Sequence, residues 1–208
     1  MHALAIAPHV DCLLLVFSTV SENRLSGSIP NPFSHFPLLL AVSASANKLS
    51  GTVAENIWGL TFPMVITLDN NVISGSVPHT LASRESLVLL GFSGNSLSST
   101  IPSDLGTLPF LKTLNLGYNN LEGSIPSGLG TLTGLNFLLC GGNLLSGSIP
   151  TELWKMTSLR VLELGHNTLS GSSSALFSNW TLLETLSSMC LSHSYRVMHL
   201  CVHSIREP

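Results

Sequence analysis

Leu111-Lys112-Thr113-Leu114-Asn115-Leu116-Gly117-Tyr118-Asn119-Asn120-Leu121-Glu122-Gly123-Ser124-Ile125-Pro126 is the stretch on which the reading of the whole chain turns. Leu114 and Leu116 are two apart, so in an extended segment both enter one side while Asn115 faces the other. Asn119 follows where the chain must bend. Its amide can donate and accept at once, which suits it to satisfying backbone groups that a bend leaves unpaired. Gly123 permits a turn that a side chain would hinder, and Pro126 discourages helix continuation.

Outward from this stretch the same frame returns every 24 residues. Asn23, Asn47, Asn71, Asn95, Asn119, Asn143 and Asn167 hold one register, and two positions after each stands an aliphatic residue, from Leu25 to Leu169. Ten positions after each Asn another apolar residue recurs: Phe33, Ile57, Leu81, Leu105, Leu129, Leu153 and Phe177. A period of this length means one flat coil per repeat. A single coil cannot bury its own apolar face, so coils must stack into a continuous core. The Asn residues then form an internal ladder.

This frame, with Leu-Ser-Gly-x-Ile-Pro after the Asn at Leu25 to Pro30 and Leu145 to Pro150, resembles the plant-specific leucine-rich-repeat family of receptor-like proteins and receptor kinases. The resemblance implies an α/β-type repeat solenoid, a right-handed horseshoe or superhelix. Its concave face would carry a parallel strand column, and its convex segments would be irregular or short and helical. It divides the chain into a poorly patterned segment at 1–12, about eight repeats at 13–191 and a non-repeat tail at 192–208, expected to be disordered. It also implies recognition of a peptide, glycan or protein ligand, with a co-receptor chain as a further partner, and an extracellular or cell-surface location.

The frame decays towards both ends. Ser18 takes a core strand position, Val53-Ala54 replaces Ile-Pro, Ser99 replaces the turn Gly, Ser173 and Ser174 replace Ile-Pro, and Leu191 stands where Asn is expected. Solenoids need polar terminal caps to be soluble alone. None is recognisable, so the chain reads as a piece or shortened copy of a larger receptor ectodomain. Competing readings are a scaffold segment that associates with other repeat chains, and a non-functional receptor-gene remnant.

Composition narrows the function further. Charged residues make up 9% of the chain and the net charge is -3, without the clustered Lys and Arg that neutralise phosphates, so nucleic acid is not an expected partner. The apolar N-terminal stretch is interrupted by Pro8, His9 and Asp11 and lacks a cationic start, which makes a poor signal peptide. No window is long enough for a membrane-spanning helix. Cys12, Cys140, Cys190 and Cys201 show no tight pairing, and Cys140 takes a core position, as a buried, chemically quiet thiol would. His199, Cys201 and His203 lie in one unpatterned tail rather than in paired metal-ligand segments, so no metal or other cofactor is expected. Gly128 to Gly134 lacks the spacing and lysine of a phosphate loop, and no kinase motif is present. No catalytic residues are assigned. Asn179-Trp180-Thr181 is a glycosylation acceptor triplet, relevant on a secretory route.

Function is therefore expected on the outward strand residues, which stacking aligns into one surface. Most are small and uncharged. The exceptions form the candidate binding set: Asp69, Asn70, Lys112, Asn115, Tyr118, Leu139, Arg160, Glu163 and His166. Gly141 and Gly142 are expected to leave a shallow floor between Tyr118 and His166, with Tyr and Arg as the usual interface anchors.

Overall fold

The computed structural model describes residues 17–29, 39–53, 63–171 and 181–187. The strand positions five and three before each Asn are buried as the alternation requires: Leu114 and Leu116, Leu138 and Cys140, Leu162 and Leu164, and their equivalents back to Val42 and Ala44. Eight short strands stack in sequence order into one parallel sheet: β1 (Phe17–Thr19), β3 (Ala41–Ser43), β5 (Val65–Thr67), β7 (Leu89–Gly91), β9 (Thr113–Asn115), β11 (Phe137–Leu139), β13 (Val161–Glu163) and β15 (Thr185–Ser187). Register is one repeat per strand, as in Leu114 beside Leu138 and Leu138 beside Leu162.

A second parallel sheet, which the sequence reading did not anticipate, follows the Asn. It holds β2 (Ser26–Ser28), β4 (Lys48–Thr52), β6 (Val72–Gly75), β8 (Ser96–Thr100), β10 (Asn120–Ser124), β12 (Leu144–Ser148) and β14 (Thr168–Ser170). In these strands Leu49, Ile73, Leu97, Leu121, Leu145 and Leu169 point into the core. Here the pairing steps by 22 residues, Glu122 to Leu144, rather than by 24. Equivalent residues of adjacent coils are thus offset along this sheet and in line along the other. Ser, Thr and Gly dominate these segments, which hid their strand character behind turn chemistry.

Among the described residues, four 3-10 turns close the coils at His79–Ser83, Ser103–Thr107, Ser127–Thr131 and Thr151–Lys155. Pro78, Pro102, Pro126 and Pro150 precede them with φ between -60° and -66°, so each Pro opens a helical turn besides ending the extended segment. Leu81, Leu105, Leu129 and Leu153 are fully buried there, as the ten-residue offset predicts. Phe33, Ile57 and Phe177 lie outside the described residues, as do the N-terminal segment, the tail and most of the decayed last repeat.

The Asn ladder is the internal seam. Asn119 accepts the Leu97 N–H of the preceding coil at 2.9 Å and donates to Phe92 O of that coil at 2.9 Å, and to its own Leu116 O and Gly117 O at 3.2 and 3.1 Å. Asn47, Asn71, Asn95, Asn143 and Asn167 repeat the pattern, whereas among the described residues Asn23 bonds within its own coil, to Val20 O and Ser21 O. Asn71, Asn119 and Asn143 are buried. From Asn47 to Asn167 each amide satisfies the orphan backbone groups of two coils, which is why an apolar residue of similar size there would leave those groups unpaired.

Candidate functional site

The outward face of the eight-stranded sheet is lined by the residues flanking each buried strand centre. Just past each strand the chain enters the left-handed region: Glu22, Ala46, Asn70, Tyr118 and His166 have φ between 53° and 57°. Asn70, Tyr118 and His166 therefore sit on the rim where the chain turns, beyond the ends of the strands. All three are exposed.

In the first five coils the outward polar groups satisfy one another. Ser45 N donates to Ser21 Oγ at 3.1 Å, and the Ser43 and Thr67 hydroxyls share a short hydrogen bond. Asp69 accepts from Ser93 N at 2.8 Å and from Ser45 Oγ at 3.4 Å, and Asn115 Nδ2 reaches it at 3.4 Å. Asn115 Oδ1 in turn accepts from Gly117 N at 3.3 Å. Asp69 and Asn115 are thus members of an internal network.

Beyond Asn115, the rest of the fifth coil and the sixth and seventh coils differ. Tyr118 is 67% exposed, Phe137 is 37% exposed, and Leu139, Val161 and Glu163 are half-buried beside them. Phe137 pairs in register with Val161, and Leu139 with Glu163, so the four form one patch across two adjacent strands. The Tyr118 ring lies over Gly142, where an added Cβ would come within 2.7 Å of its Cδ1, so the ring covers part of the expected floor. At Gly141 an added Cβ would meet Gly165 O at 3.2 Å, so the next coil's backbone bounds that position. Two cations of the candidate set are engaged: Lys112 Nζ donates to Gly134 O at 3.0 Å, and Arg160 pairs with Glu184 at 3.5 Å. Phe137, which the repeat frame places on the outward face of the sixth coil, and Val161 lie outside the candidate set. Their outward parity, one residue before the buried Leu138 and Leu162, was the available signal.

Cys140 is buried behind this face, and desolvation pushes its thiol up to about 12. Among the described residues no group of three or more His, Cys, Asp or Glu gathers as a metal site, and no helix is long and apolar enough to cross a membrane. The His199, Cys201 and His203 cluster and Asn179 lie outside the described residues.

The family model described as Leucine Rich Repeat matches residues 86–108, 110–132 and 158–180. The solved structure of a Pollen Receptor Kinase 3 is 31% identical, with a TM-score of 0.63 over 74% of this chain and 78% of that one. The chain belongs to the plant-type leucine-rich-repeat family. The plant peptide hormone receptor RGFR1, solved in complex with RGF2, is 28% identical with a TM-score of 0.82 over 85% of this leucine-rich-repeat chain. The chain spans 28% of that receptor's length. A plant ice-binding protein is 26% identical with a TM-score of 0.68 over 84% of this chain and 63% of that one. No curated protein sequence matches. The eight-stranded sheet is the concave column of the solenoid, the architecture that the repeat frame predicts.

Proposed function

We propose that this leucine-rich-repeat chain is a non-catalytic, extracellular recognition module that binds an extended peptide, or a peptide segment of a protein, on the concave face of its fifth to seventh coils. One observation carries the reading: outward polar groups from Ser21 to Asn115 bond to one another, whereas Tyr118, Phe137, Leu139 and Val161 present apolar and aromatic surface beside Glu163, whose carboxylate has no bonded donor among the described residues. An apolar centre with a polar rim is the composition of a binding patch. The resemblance to a peptide hormone receptor supports the ligand class. On this reading the chain is a segment of a larger ectodomain, and a co-receptor chain is a further partner.

The test is panning of the full chain, its folding checked by circular dichroism, against a displayed library of short random peptides. Enriched peptides should lose binding to Tyr118→Ala and Leu139→Ser variants that melt like the parent. Enrichment no greater than on a blank surface, or binding indifferent to both changes, would remove the reading.

A second reading concerns the other sheet. Its outward positions are mostly hydroxyls in cross-strand register, Ser28 beside Ser50, Thr52 beside Ser74 and Ser124 beside Ser146. Strand spacing of about 4.8 Å and a same-face repeat of about 6.6 Å make this a regular hydroxyl lattice. The likeness to a plant ice-binding protein favours ordered water as its ligand. Ice-recrystallisation inhibition by the chain, abolished by Ser74→Lys with Ser146→Lys, is the expected result; no inhibition would exclude it.

A further inference from the structure

We infer that the peptide accepted by the fifth to seventh coils carries a Lys or Arg two residues from an aromatic or aliphatic side chain, with Glu163 as the group that reads the cation. The inference rests on the peptide-recognition reading above and adds the chemistry of the ligand.

Arg160 is held by Glu184, Lys112 by the Gly134 carbonyl, and Asp69 by Ser93, Ser45 and Asn115. Glu163 differs: among the described residues no donor is bonded to its carboxylate, although the side chain is already half-buried. Its in-register neighbours are Leu139 on β11 and Ser187 on β15, and Val161 lies two residues earlier on the same face of β13. The other titratable groups flanking this face, Tyr118 and His166, stand on the rim, whereas Glu122, Glu152 and Lys155 belong to the second sheet and the 3-10 turn and Cys140 is buried.

A partner that covers Phe137, Leu139 and Val161 to gain apolar burial must also cover Glu163. Stripping water from an ionised carboxylate is unfavourable unless a donor replaces that water, and a cationic donor replaces it best. A neutral or acidic segment would bury the carboxylate unpaired, so the face selects against it. Geometry sets the spacing. Adjacent strands are about 4.8 Å apart, while alternate residues of an extended peptide are about 6.6 Å apart and point the same way. An apolar side chain seated on Phe137 and Leu139 therefore places the side chain two residues on above β13, within the reach of a flexible Lys or Arg stem.

The deciding measurement compares peptides selected on the full parent chain with those selected on Glu163→Gln and Glu163→Lys, after melting curves confirm that each variant folds. Parent-selected peptides should show Lys or Arg two positions from an apolar residue. They should bind Glu163→Gln about tenfold more weakly, and replacing their basic residue by Gln should remove that difference. Selection on Glu163→Lys should favour Asp or Glu at that place; if that variant does not fold, the Gln comparison decides alone. Peptides that depend on Tyr118 and Leu139 but show no basic preference, or whose basic preference survives Glu163→Gln, would overturn this inference and leave peptide recognition standing. No selected peptide at all would overturn both.

Discussion

Asn115 Nδ2 reaches Asp69 Oδ1 at 3.4 Å across a whole intervening coil, because that coil places Gly91 between them. A Cβ at Gly91 would stand 2.6 Å from Asp69 Oδ2. The carboxylate fills the space that the glycine leaves, and from there it also accepts the Ser93 N–H. Gly91→Ala is expected to displace Asp69 and lower stability by about 1–2 kcal/mol. Asp69→Ala should cost a similar amount by leaving the Ser93 amide unsatisfied, and combining the two changes should cost less than the sum. Urea denaturation of the three variants checks this; strictly additive losses would mean that Gly91 and Asp69 are not coupled.

The Asn seam should dominate stability over the outward surface. Asn119→Ala removes an acceptor for Leu97 N–H and a donor to three carbonyls, all buried, with an expected loss of about 2–3 kcal/mol. Ser93→Ala, on the outward face, should stay within about 0.5 kcal/mol. Asn23→Ala, whose amide bonds within its own coil and is exposed, should fall between them. Equal melting losses from Asn119→Ala and Ser93→Ala would contradict the seam.

The solenoid was legible in the sequence because its strongest forces repeat. Burial at Leu114 and Leu116 and amide satisfaction at Asn119 recur from the second coil to the seventh, and a 24-residue period displays both. The second sheet was not legible. Ser96 to Thr100 has the composition of a loop, and its strand pairing comes from backbone groups of neighbouring coils rather than from side-chain preference. The candidate site was partly legible. Tyr118 and Glu163 stand out from a bland surface, but the pairing of Asp69 with Asn115, and of Arg160 with Glu184, depends on contacts between different coils that outward parity alone does not reveal.

Cys140 lends the fold a pH dependence whose sign follows from its shift. Burial raises the thiol from 9.0 to about 12, so the folded state holds a proton that the unfolded chain has released between those values. The contribution is fully present below pH 9.0 and is lost as pH rises towards about 12. At pH 8 Cys140 should resist iodoacetamide in the native chain and react once urea unfolds it, read by peptide mapping so that Cys12, Cys190 and Cys201 are scored separately. Native labelling of Cys140 as fast as that of the unfolded chain would show that the coil opens at this position.

Ser99 offers a substitution that should strengthen the protein. It has φ of 71° at the position where Gly51, Gly75, Gly123, Gly147 and Gly171 stand in other coils with φ between 75° and 100°. An L side chain in this region is strained by about 1–2 kcal/mol, and Gly relieves that strain while adding unfolded-state entropy worth somewhat less. The Ser99 side chain is exposed, so little packing is lost. Ser99→Gly should therefore stabilise by up to about 1 kcal/mol, and Gly123→Ser, its mirror one coil on, should destabilise by more. At Gly123 the added Cβ meets Thr100 Cγ2 at 2.9 Å as well as the unfavourable backbone. Chemical denaturation of the two variants gives the sign directly. A destabilised Ser99→Gly would mean that the serine hydroxyl holds the turn by a contact worth more than the strain it carries.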